Sequence, residues 1–289
     1  SFSKNVVDNF TQMYAQGLTP NPCVECNRSV KFDHFITQAK KLNCDKVATG
    51  HYAKIIKKNN EFELHKADYL DKDQSYVLHM LKSSDLENIS FPLGEISKPE
   101  VRQIAARIGL KTAFKKDSQD ICFVGKKDYR SFVEKRIDLT SPGEIFDIEG
   151  NKVGDHNGIH EFTVGQRKGL PGGYGTPRYV TKINVQNKNV TIGEKKDLLV
   201  SSFIVEELSC VNNLEYNNLT IQTRYNSEDL PCEIKKLSDT KVLVQLKEPA
   251  FGVAPGQFGV IYNGTKVVCG GRICLLYTSD AADDQCCGV

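Results

Sequence analysis

Several features that would assign this chain to a well-defined class are missing from its sequence. No apolar stretch approaches the ~20 residues that a membrane-spanning helix needs, and we find no secretory leader, so we expect no membrane association. Charge of one sign is also lacking, because 38 basic residues nearly cancel 36 acidic ones. Any nucleic-acid surface must therefore be a local basic patch.

A disulfide framework is not expected either, although the chain has ten cysteines. Such frameworks are typical of short exported proteins, whereas 289 residues suffice for two or three domains of ~100 residues each. We therefore expect reduced thiols in the cytoplasm. Four cysteines lie in helix- or strand-like segments and are interpreted as small core residues: Cys44, Cys210, Cys232 and Cys269.

Residues 1–134 are predicted to form an α/β domain. Residues 1–17 and 32–42 have apolar positions at helical spacing, the first with Val6, Val7 and Phe10 on one face. A capping box at 97–100 predicts another helix, and its expected buried stripe is Val101, Ile104, Ala105 and Ile108. Short apolar runs at 47–49 and 121–124 predict strands of a parallel sheet covered on both faces.

The remaining residues divide into three further segments. Residues 135–200 are rich in glycine and are predicted to be a small, loop-rich domain. Residues 201–273 alternate with a period of two, which predicts a small antiparallel barrel; the alternating sets are Leu219/Ile221/Thr223, Val242/Val244/Leu246 and Phe258/Val260/Tyr262. Residues 274–289 show neither period nor core pattern, and we expect them to be a non-native tail.

The richest chemical motif is a CxxC pair, Cys23 and Cys26, on a stretch that two prolines stiffen. This spacing is compatible with half a zinc site, a redox dithiol, or a nucleophile beside a second thiol. A second metal-binding pair is missing, and incidental buried thiols are the plain alternative. We expect Arg28 to stabilise a thiolate here.

A third cysteine, Cys122, lies in an apolar run between an acidic lead-in and a basic pair, Lys126 and Lys127. A lone cysteine in such a run is usually core, but the polar flanks favour the rim of a site at a strand end. Residues 72–76, 165–170, Arg224–Tyr225 and His51 are candidate RNA contacts. Each has a plain alternative: residues 72–76 could be a solvated helix start, 165–170 a surface turn, and His51 a loop histidine, while Arg224–Tyr225 is weak evidence by itself.

Taken together, these segments resemble the tRNA-specific 2-thiouridylase family. Eight collinear blocks between about residues 17 and 273 carry the resemblance: TPNPCVECNRSVKF, ATGHYAK, KDQSYVL, FPLGEISKPEVR, KDSQDICFVG, HEFTVGQRKGLPGG, TRYNSEDLPC and APGQFGVIYNG. The resemblance implies an α/β fold in which 1–134 is part of an ATP-pyrophosphatase domain (adenine-nucleotide α-hydrolase-like). It also implies a tRNA-contacting central domain and a C-terminal β-barrel.

The implied activity is a tRNA-uridine 2-sulfurtransferase that adenylates the wobble uridine with ATP and Mg²⁺ and then replaces the C2 oxygen by sulfur. By resemblance, Cys26 is the catalytic nucleophile and Cys122 carries the persulfide, and the two form a disulfide when sulfur leaves. Gly50 matches a position near the nucleotide. The implied tRNA-binding positions are Asn21, Pro22, Cys23, His51, Lys72, Asp73, Gln74, Arg224, Tyr225 and Gln257. The implied partners are tRNAs for lysine, glutamate and glutamine, and a cysteine desulfurase or a sulfur-relay protein.

Two departures from the family pattern matter. Many relatives carry aspartate where Cys23 stands, so Cys23, Cys26 and Cys122 are alternative ligands for a [4Fe-4S] cluster. The family's glycine-serine phosphate loop has no match here, and the sequence lacks an initiator methionine. We therefore expect an N-terminally truncated chain that adenylates poorly by itself.

Three other functions remain open on the sequence. The chain could be a non-catalytic tRNA-binding fragment, a metal or cluster redox protein built on the CxxC pair, or an ATP-pyrophosphatase acting on a small molecule. Activity with ATP would separate the first from an enzyme, and metal analysis would identify the second. The paired cysteines and the barrel argue against the third.

Overall fold

The computed structural model describes residues 2–115, 121–125, 129–137, 141–173, 175–210 and 217–274. Within these ranges, no helix is long and apolar enough to cross a membrane. The described residues form three sheets: a two-stranded parallel sheet, a four-stranded sheet, and an eight-stranded sheet that includes a barrel.

The N-terminal region is largely helical. A π-helical segment, Ser3–Asp8, continues directly into α1, Asn9–Ala15, and buries Val6, Val7 and Phe10 as the sequence predicts. The other helices are α2 (Pro22–Glu25), α3 (Asp33–Lys41), α4 (Ser83–Leu86), α5 (Lys98–Arg107) and α6 (Tyr129–Glu134). A second π-helical segment, Cys26–Phe32, joins α2 to α3. Short 3₁₀ turns span Leu70–Lys72, Ser75–Leu78, Ile159–Glu161 and Lys195–Leu198.

The parallel sheet and its helices follow the prediction only in part. Strand β1 (Val47–Ala48) pairs in parallel with β4 (Ile89–Ser90), and α5 begins with the predicted Ser97–Glu100 capping box. The prediction of a buried stripe on α5 is wrong, because no residue of that helix is buried and Ile108 is 66% exposed. Strand β1 is not buried either. These surfaces are apolar but lack neighbours among the described residues.

The predicted strand at 121–124 is also wrong. Residues 122–125 form a turn, in which the backbone N–H groups of Val124 and Gly125 donate to the Ile121 carbonyl at 3.0 and 3.2 Å. Phe123 packs edge-on against Phe10 of α1, with ring centroids 5.3 Å apart. A short apolar run can pack its side chains against a core from a turn as well as from a strand. Its periodicity therefore cannot distinguish a strand from a turn.

The central region forms a four-stranded sheet. Its strands are β5 (Gly143–Phe146), β6 (Lys152–His156), β7 (Tyr179–Asn184) and β8 (Asn189–Gly193), in the order β6-β5-β8-β7. The parallel pair is β5 with β8, and the other two pairs are antiparallel. Ile145, Val180 and Val190 form the centre of its small core.

The C-terminal region is a closed antiparallel barrel of six strands, as the period-two pattern predicts. The strands are β9 (Leu199–Cys210), β10 (Leu219–Gln222), β11 (Leu230–Ser238), β12 (Lys241–Phe251), β13 (Phe258–Asn263) and β14 (Lys266–Cys274). Pairing of β13 with both β10 and β14 closes the ring. A hairpin of β2 (Ala53–Lys58) and β3 (Glu61–Lys66) adds to the outside of β14.

Strand β13 is buried on both faces, which joins the barrel to the N-terminal region. Ile261 points into the barrel core, while Phe258, Val260 and Tyr262 belong to the core that also contains Tyr76. The alternating set predicted for the barrel interior is therefore the face packed against the α/β region. Strand β14 extends to Cys274, which is buried; residues 275–289 of the predicted tail lie outside the described part.

Candidate functional site

The CxxC pair lies on a short helical turn. Pro22 is the first residue of α2, Cys23 follows it, and Cys26 begins the π-helical segment. Residues three apart lie on one helix face, so both thiols face the same side. Both are free thiols, with Cys23 exposed and Cys26 half-exposed.

Cys122 lies beside this pair, 122 − 26 = 96 residues further along the chain. Its thiol is free and exposed, and it is close enough to act electrostatically on both Cys23 and Cys26. Burial raises the pKa of the Cys23 and Cys26 thiols, and the neighbouring Cys122 raises both further. The fold thus brings together the three cysteines that the sequence singled out.

The cation that serves these thiols is Lys31. Its charge opposes the effect of burial and lowers the pKa of both Cys23 and Cys26. The expectation that Arg28 does so is not supported, because Arg28 pairs with the buried carboxylate of Glu25 at 2.9 Å. In an α-helix, Lys31 would point about 140° away from Cys26. The π-helical segment from Cys26 to Phe32 winds more slowly and brings residues five apart onto one face.

Tyr76 lies at the centre of the contact between the loop before the thiols and the barrel. Its buried hydroxyl donates to the Phe258 carbonyl at 2.8 Å and also interacts with the Asn21 side chain. Burial raises the Tyr76 pKa, so the group remains a neutral phenol. The Arg224 guanidinium is close enough to act on it electrostatically. No pattern in the sequence singles out Tyr76 by itself.

Arg224 and Tyr225 lie where the barrel meets the central region. Arg224 donates to the Val164 carbonyl at 3.4 Å, and burial lowers the pKa of its guanidinium. Side chains at Gly165 or Gly252 would come within 3.3 Å of the guanidinium, so the arginine fits between two glycines. The Tyr225 ring is 40% exposed, and its centroid is 6.1 Å from that of Tyr76.

Two of the predicted tRNA contacts have structural partners within the protein. The Asp73 carboxylate is buried and accepts from the Ala67 N–H at 2.8 Å and the Ser75 hydroxyl at 2.6 Å. Burial raises its pKa. The Gln74 side-chain oxygen accepts from the Tyr52 N–H at 3.1 Å. Lys72 is half-buried in a 3₁₀ turn beside them.

Gly50, predicted to lie near the nucleotide, and His51, a predicted tRNA contact, follow strand β1. Gly50 is exposed, and a side chain there would meet only the Leu93 methyl, at 3.6 Å. His51 is buried between aromatic rings, and its Nδ1 lies 2.8 Å from the Thr49 hydroxyl. Burial, with the charge of Lys31 second, lowers the His51 pKa to about 4, so the ring is neutral at physiological pH.

Gln257 contacts the thiol-bearing loop directly. Its side-chain amide donates to the carbonyls of Thr19 and Pro20, at 3.0 and 3.4 Å. These residues immediately precede Asn21, Pro22 and Cys23, which are predicted to meet the target base. The acidic residues and lysines that flank Cys122 in sequence, at 117–120 and 126–127, lie outside the described residues.

A cleft of about 360 Å³ opens between the 3₁₀ turns and the barrel, and none of the three thiols is among the residues that line it. Its lining includes Asp73, Tyr76, Gln222, Tyr225 and Asn226. Nearby, Arg167 and Lys168 are exposed on the loop that carries Gly165. The cleft and loop together offer a tyrosine ring for stacking and cations for phosphates.

One group in the described part of the chain has the ligand types of a metal site. Atoms of Glu134, His160 and Glu161 lie within 4.8 Å of one another. His160 Nε2 is 3.2 Å from a Glu134 carboxylate oxygen. An ordinary hydrogen bond therefore accounts for the pair without an ion.

Comparison with known proteins identifies three domains along the chain. Residues 1–126 match the tRNA methyl transferase HUP domain, 130–194 the tRNA methyl transferase PRC-barrel domain, and 200–273 the aminomethyltransferase beta-barrel domain. The chain is 42% identical to the tRNA-specific 2-thiouridylase MnmA of Chloroflexus aurantiacus, over 94% of this chain and 77% of the relative. The corresponding enzyme of Rickettsia prowazekii gives the same values, and that of Trichlorobacter lovleyi is 39% identical over 96% of this chain and 80% of its own. With its three free cysteines at one site and its closed barrel, the chain belongs to the tRNA-specific 2-thiouridylase family.

Proposed function

We propose that this protein is a tRNA-uridine 2-sulfurtransferase that uses ATP to place sulfur on the wobble uridine of tRNA. The observation that carries the proposal is the meeting of Cys23, Cys26 and Cys122 on one surface beside Lys31. The relatives' names describe 2-thiolation of tRNA, and a site for sulfur transfer needs closely spaced, partly exposed thiols. The substrates are the tRNAs for lysine, glutamate and glutamine, modified in the cytoplasm.

In this mechanism the C2 oxygen of the uridine attacks the α-phosphate of ATP, with Mg²⁺ as counter-ion, so that AMP is joined to the base and pyrophosphate leaves. The outer sulfur of a persulfide on Cys122 attacks C2 and AMP leaves, so that uridine and Cys122 are joined through two sulfurs. The Cys26 thiolate then attacks the Cys122 sulfur and breaks the S–S bond. The products are 2-thiouridine and a Cys26–Cys122 disulfide. A dithiol reductant must reduce this disulfide to two thiols before a cysteine desulfurase or a relay protein loads the next persulfide sulfur on Cys122.

The surroundings of the thiols support these roles. Burial and the neighbouring Cys122 raise the pKa of Cys26 and favour its thiol form, and Lys31 provides a positive charge when the thiolate forms. Asn21, Pro22 and Cys23 are proposed to meet the extruded base, and Gly50 to lie near the nucleotide. Arg224, Tyr225 and the neighbouring cleft are proposed to hold the anticodon loop, together with His51, Lys72, Asp73, Gln74 and Gln257.

The main alternative mechanism uses an iron–sulfur cluster. Cys23, Cys26 and Cys122 would supply three thiolate ligands, and thiolates are the ligand type that iron–sulfur clusters use. In that case the three residues would hold the cluster, which would supply an iron-bound sulfide to the uridine. A chain that binds tRNA without catalysis is the third possibility.

Peptide mapping after a single turnover separates these mechanisms. The protein is extended by the phosphate-loop segment of a relative, loaded by a desulfurase, and mixed with ATP and lysine tRNA. It should yield a Cys26–Cys122 disulfide in proportion to the 2-thiouridine formed. A Cys44→Ser variant is the matched control, since Cys44 is exposed, contrary to the expectation that it is a core residue, and is not one of the three thiols of the site. Thiolation without that disulfide, in protein that contains iron, would favour the cluster. Binding of tRNA without thiolation would favour the non-catalytic fragment.

A further inference from the structure

The barrel is joined to the loop that carries the thiols by backbone and side-chain hydrogen bonds. The Thr19 N–H donates to the Pro255 carbonyl at 2.9 Å, and the Gln257 amide donates to the next two carbonyls of the loop, those of Thr19 and Pro20. Gln257 thereby binds three and four residues before Cys23. Its donor atom is used inside the protein.

The barrel also forms an ion pair with the helical turn that carries Cys23 and Cys26. Arg272 of β14 pairs with Glu25 at 3.3 Å, and Glu25 lies between Cys23 and Cys26 in the sequence. The same guanidinium pairs with Glu207 and contacts the Met13 sulfur, at 3.3 and 3.2 Å. The Glu25 side chain is only 7% exposed, so its orientation is fixed by these partners and by Arg28.

The loop and the barrel approach each other closely at a glycine. Gly256 has φ +86°, and a Cβ atom there would lie 2.9 Å from both the Leu18 Cβ and the Thr19 nitrogen. The Gly256 N–H donates to the Ile273 carbonyl at 3.0 Å, next to Arg272. Gly256, the residue before Gln257, thus contacts both the strand that carries Arg272 and the thiol loop.

We propose that Gln257 and Arg272 are positioning residues of the thiol site, through which the barrel sets the placement of Cys23 and Cys26. The barrel then contributes to sulfur chemistry through the loop that the Gln257 amide holds. The use of the thiols in sulfur transfer rests on the proposed function, but their placement by the barrel does not.

Alkylation of individual thiols tests this without ATP or RNA. The full chain is treated with limiting iodoacetamide, and each cysteine is quantified by mass spectrometry. Exposed Cys44 is the internal reference, and buried Cys232 and Cys269 report unfolding. In Gln257→Met, the rates for Cys23 and Cys26 relative to Cys44 should change by about fivefold, which corresponds to the net stabilisation of one hydrogen bond. Gln245→Met is the matched control, because Gln245 donates to the Ser201 carbonyl within the barrel.

Arg272 is tested in the same way with a conservative variant. Arg272→Met should change the relative rates of Cys23 and Cys26, and Arg272→Lys, which keeps a cation for Glu25, should restore them in part. If Arg272→Met makes Cys232 or Cys269 reactive, the protein has unfolded and Gln257→Met decides the matter. Unchanged Cys23 and Cys26 rates in a folded Gln257→Met protein would overturn the proposal.

Binding of a lysine tRNA transcript distinguishes positioning from direct RNA contact. A positioning role predicts that Gln257→Met lowers the turnover rate even at saturating lysine tRNA, measured in protein extended by the phosphate-loop segment of a relative, because binding no longer limits the rate there. Weaker tRNA binding with unchanged thiol reactivity would overturn the inference in favour of direct contact. Loss of thiolation in every variant, wild type included, would contradict the proposed function and leave the alkylation result standing.

Discussion

Replacing Tyr76 by phenylalanine should weaken the junction between the thiol loop and the barrel. The Tyr76 hydroxyl is fully buried and donates to the Phe258 carbonyl at 2.8 Å. Tyr76→Phe removes the donor, creates almost no cavity, and leaves a buried carbonyl without this partner. We expect the free energy of unfolding to fall by about 1–3 kcal/mol, the cost of a buried unsatisfied group. That corresponds to roughly 2–4 °C in Tm per kcal/mol for a chain of this size.

Thermal and urea unfolding of the wild type and two variants measure this effect. Tyr69→Phe is the control, because Tyr69 is 41% exposed and its hydroxyl can bond to water. Alkylation of the individual thiols should also show an altered rate for Cys23 in Tyr76→Phe, because Asn21 interacts with the hydroxyl that this variant lacks. A Tyr76→Phe protein as stable as Tyr69→Phe would refute the role assigned to this hydrogen bond.

Three further predictions follow from single contacts. Lys31→Met should slow alkylation of Cys26 at fixed pH by up to about fivefold, the effect of about 1 kcal/mol between close charges in water, and an unchanged pH profile would contradict it. His79 is fully buried with a pKa lowered to about 4, so the unfolded chain binds a proton more readily below about pH 6.5. Stability should therefore fall as pH drops from 6.5 towards 4, and urea midpoints of His79→Gln should fall less steeply; equal slopes would count against it. Gly256→Ala should destabilise by about 2–5 kcal/mol, from a left-handed backbone plus a steric clash. Gly264→Ala, with φ +58° but open space, should cost only about 1–2 kcal/mol in the same unfolding assay.

The barrel could be predicted from the sequence because period-two alternation reports directly on which face of a strand is buried. Leu219 and Ile221 face the barrel core as expected. The alternation could not reveal what covers the second face of β13, where Phe258 and Tyr262 pack against the α/β region. That face depends on residues nearly two hundred positions away in the chain.

The thiol site was predictable in its residues but not in its electrostatics. The CxxC spacing and the polar surroundings of Cys122 pointed to three thiols, and the fold brings them together. Arg28 was the wrong cation, because its nearest acceptor, Glu25, is three residues away on the same turn. The sequence does not predict that Lys31 is the cation near the thiols, because no sequence pattern predicts the π-helical segment that brings it there.

Several predicted tRNA positions are held by contacts within the protein. Gln257 bonds to loop carbonyls, and Asp73 bonds to Ala67 and Ser75. A short motif does not show whether a residue contacts RNA directly or holds in place the protein surface that does. Both kinds of residue appear in the motif with the same type and spacing. Their direct contact with tRNA stays a prediction.

The most direct test of the central claim is mass-spectrometric measurement of 2-thiouridine in a lysine tRNA transcript. The chain, preceded by the phosphate-loop segment of the Chloroflexus aurantiacus relative, would be incubated with ATP, Mg²⁺, a desulfurase and cysteine. We predict thiolation by the wild type, loss in Cys26→Ser and in Cys122→Ser, and retention in Cys23→Ser. Loss in all three, with iron in the active protein, would replace the persulfide route by the cluster. An unmodified transcript despite tight tRNA binding by the wild type would contradict the assignment as a sulfurtransferase.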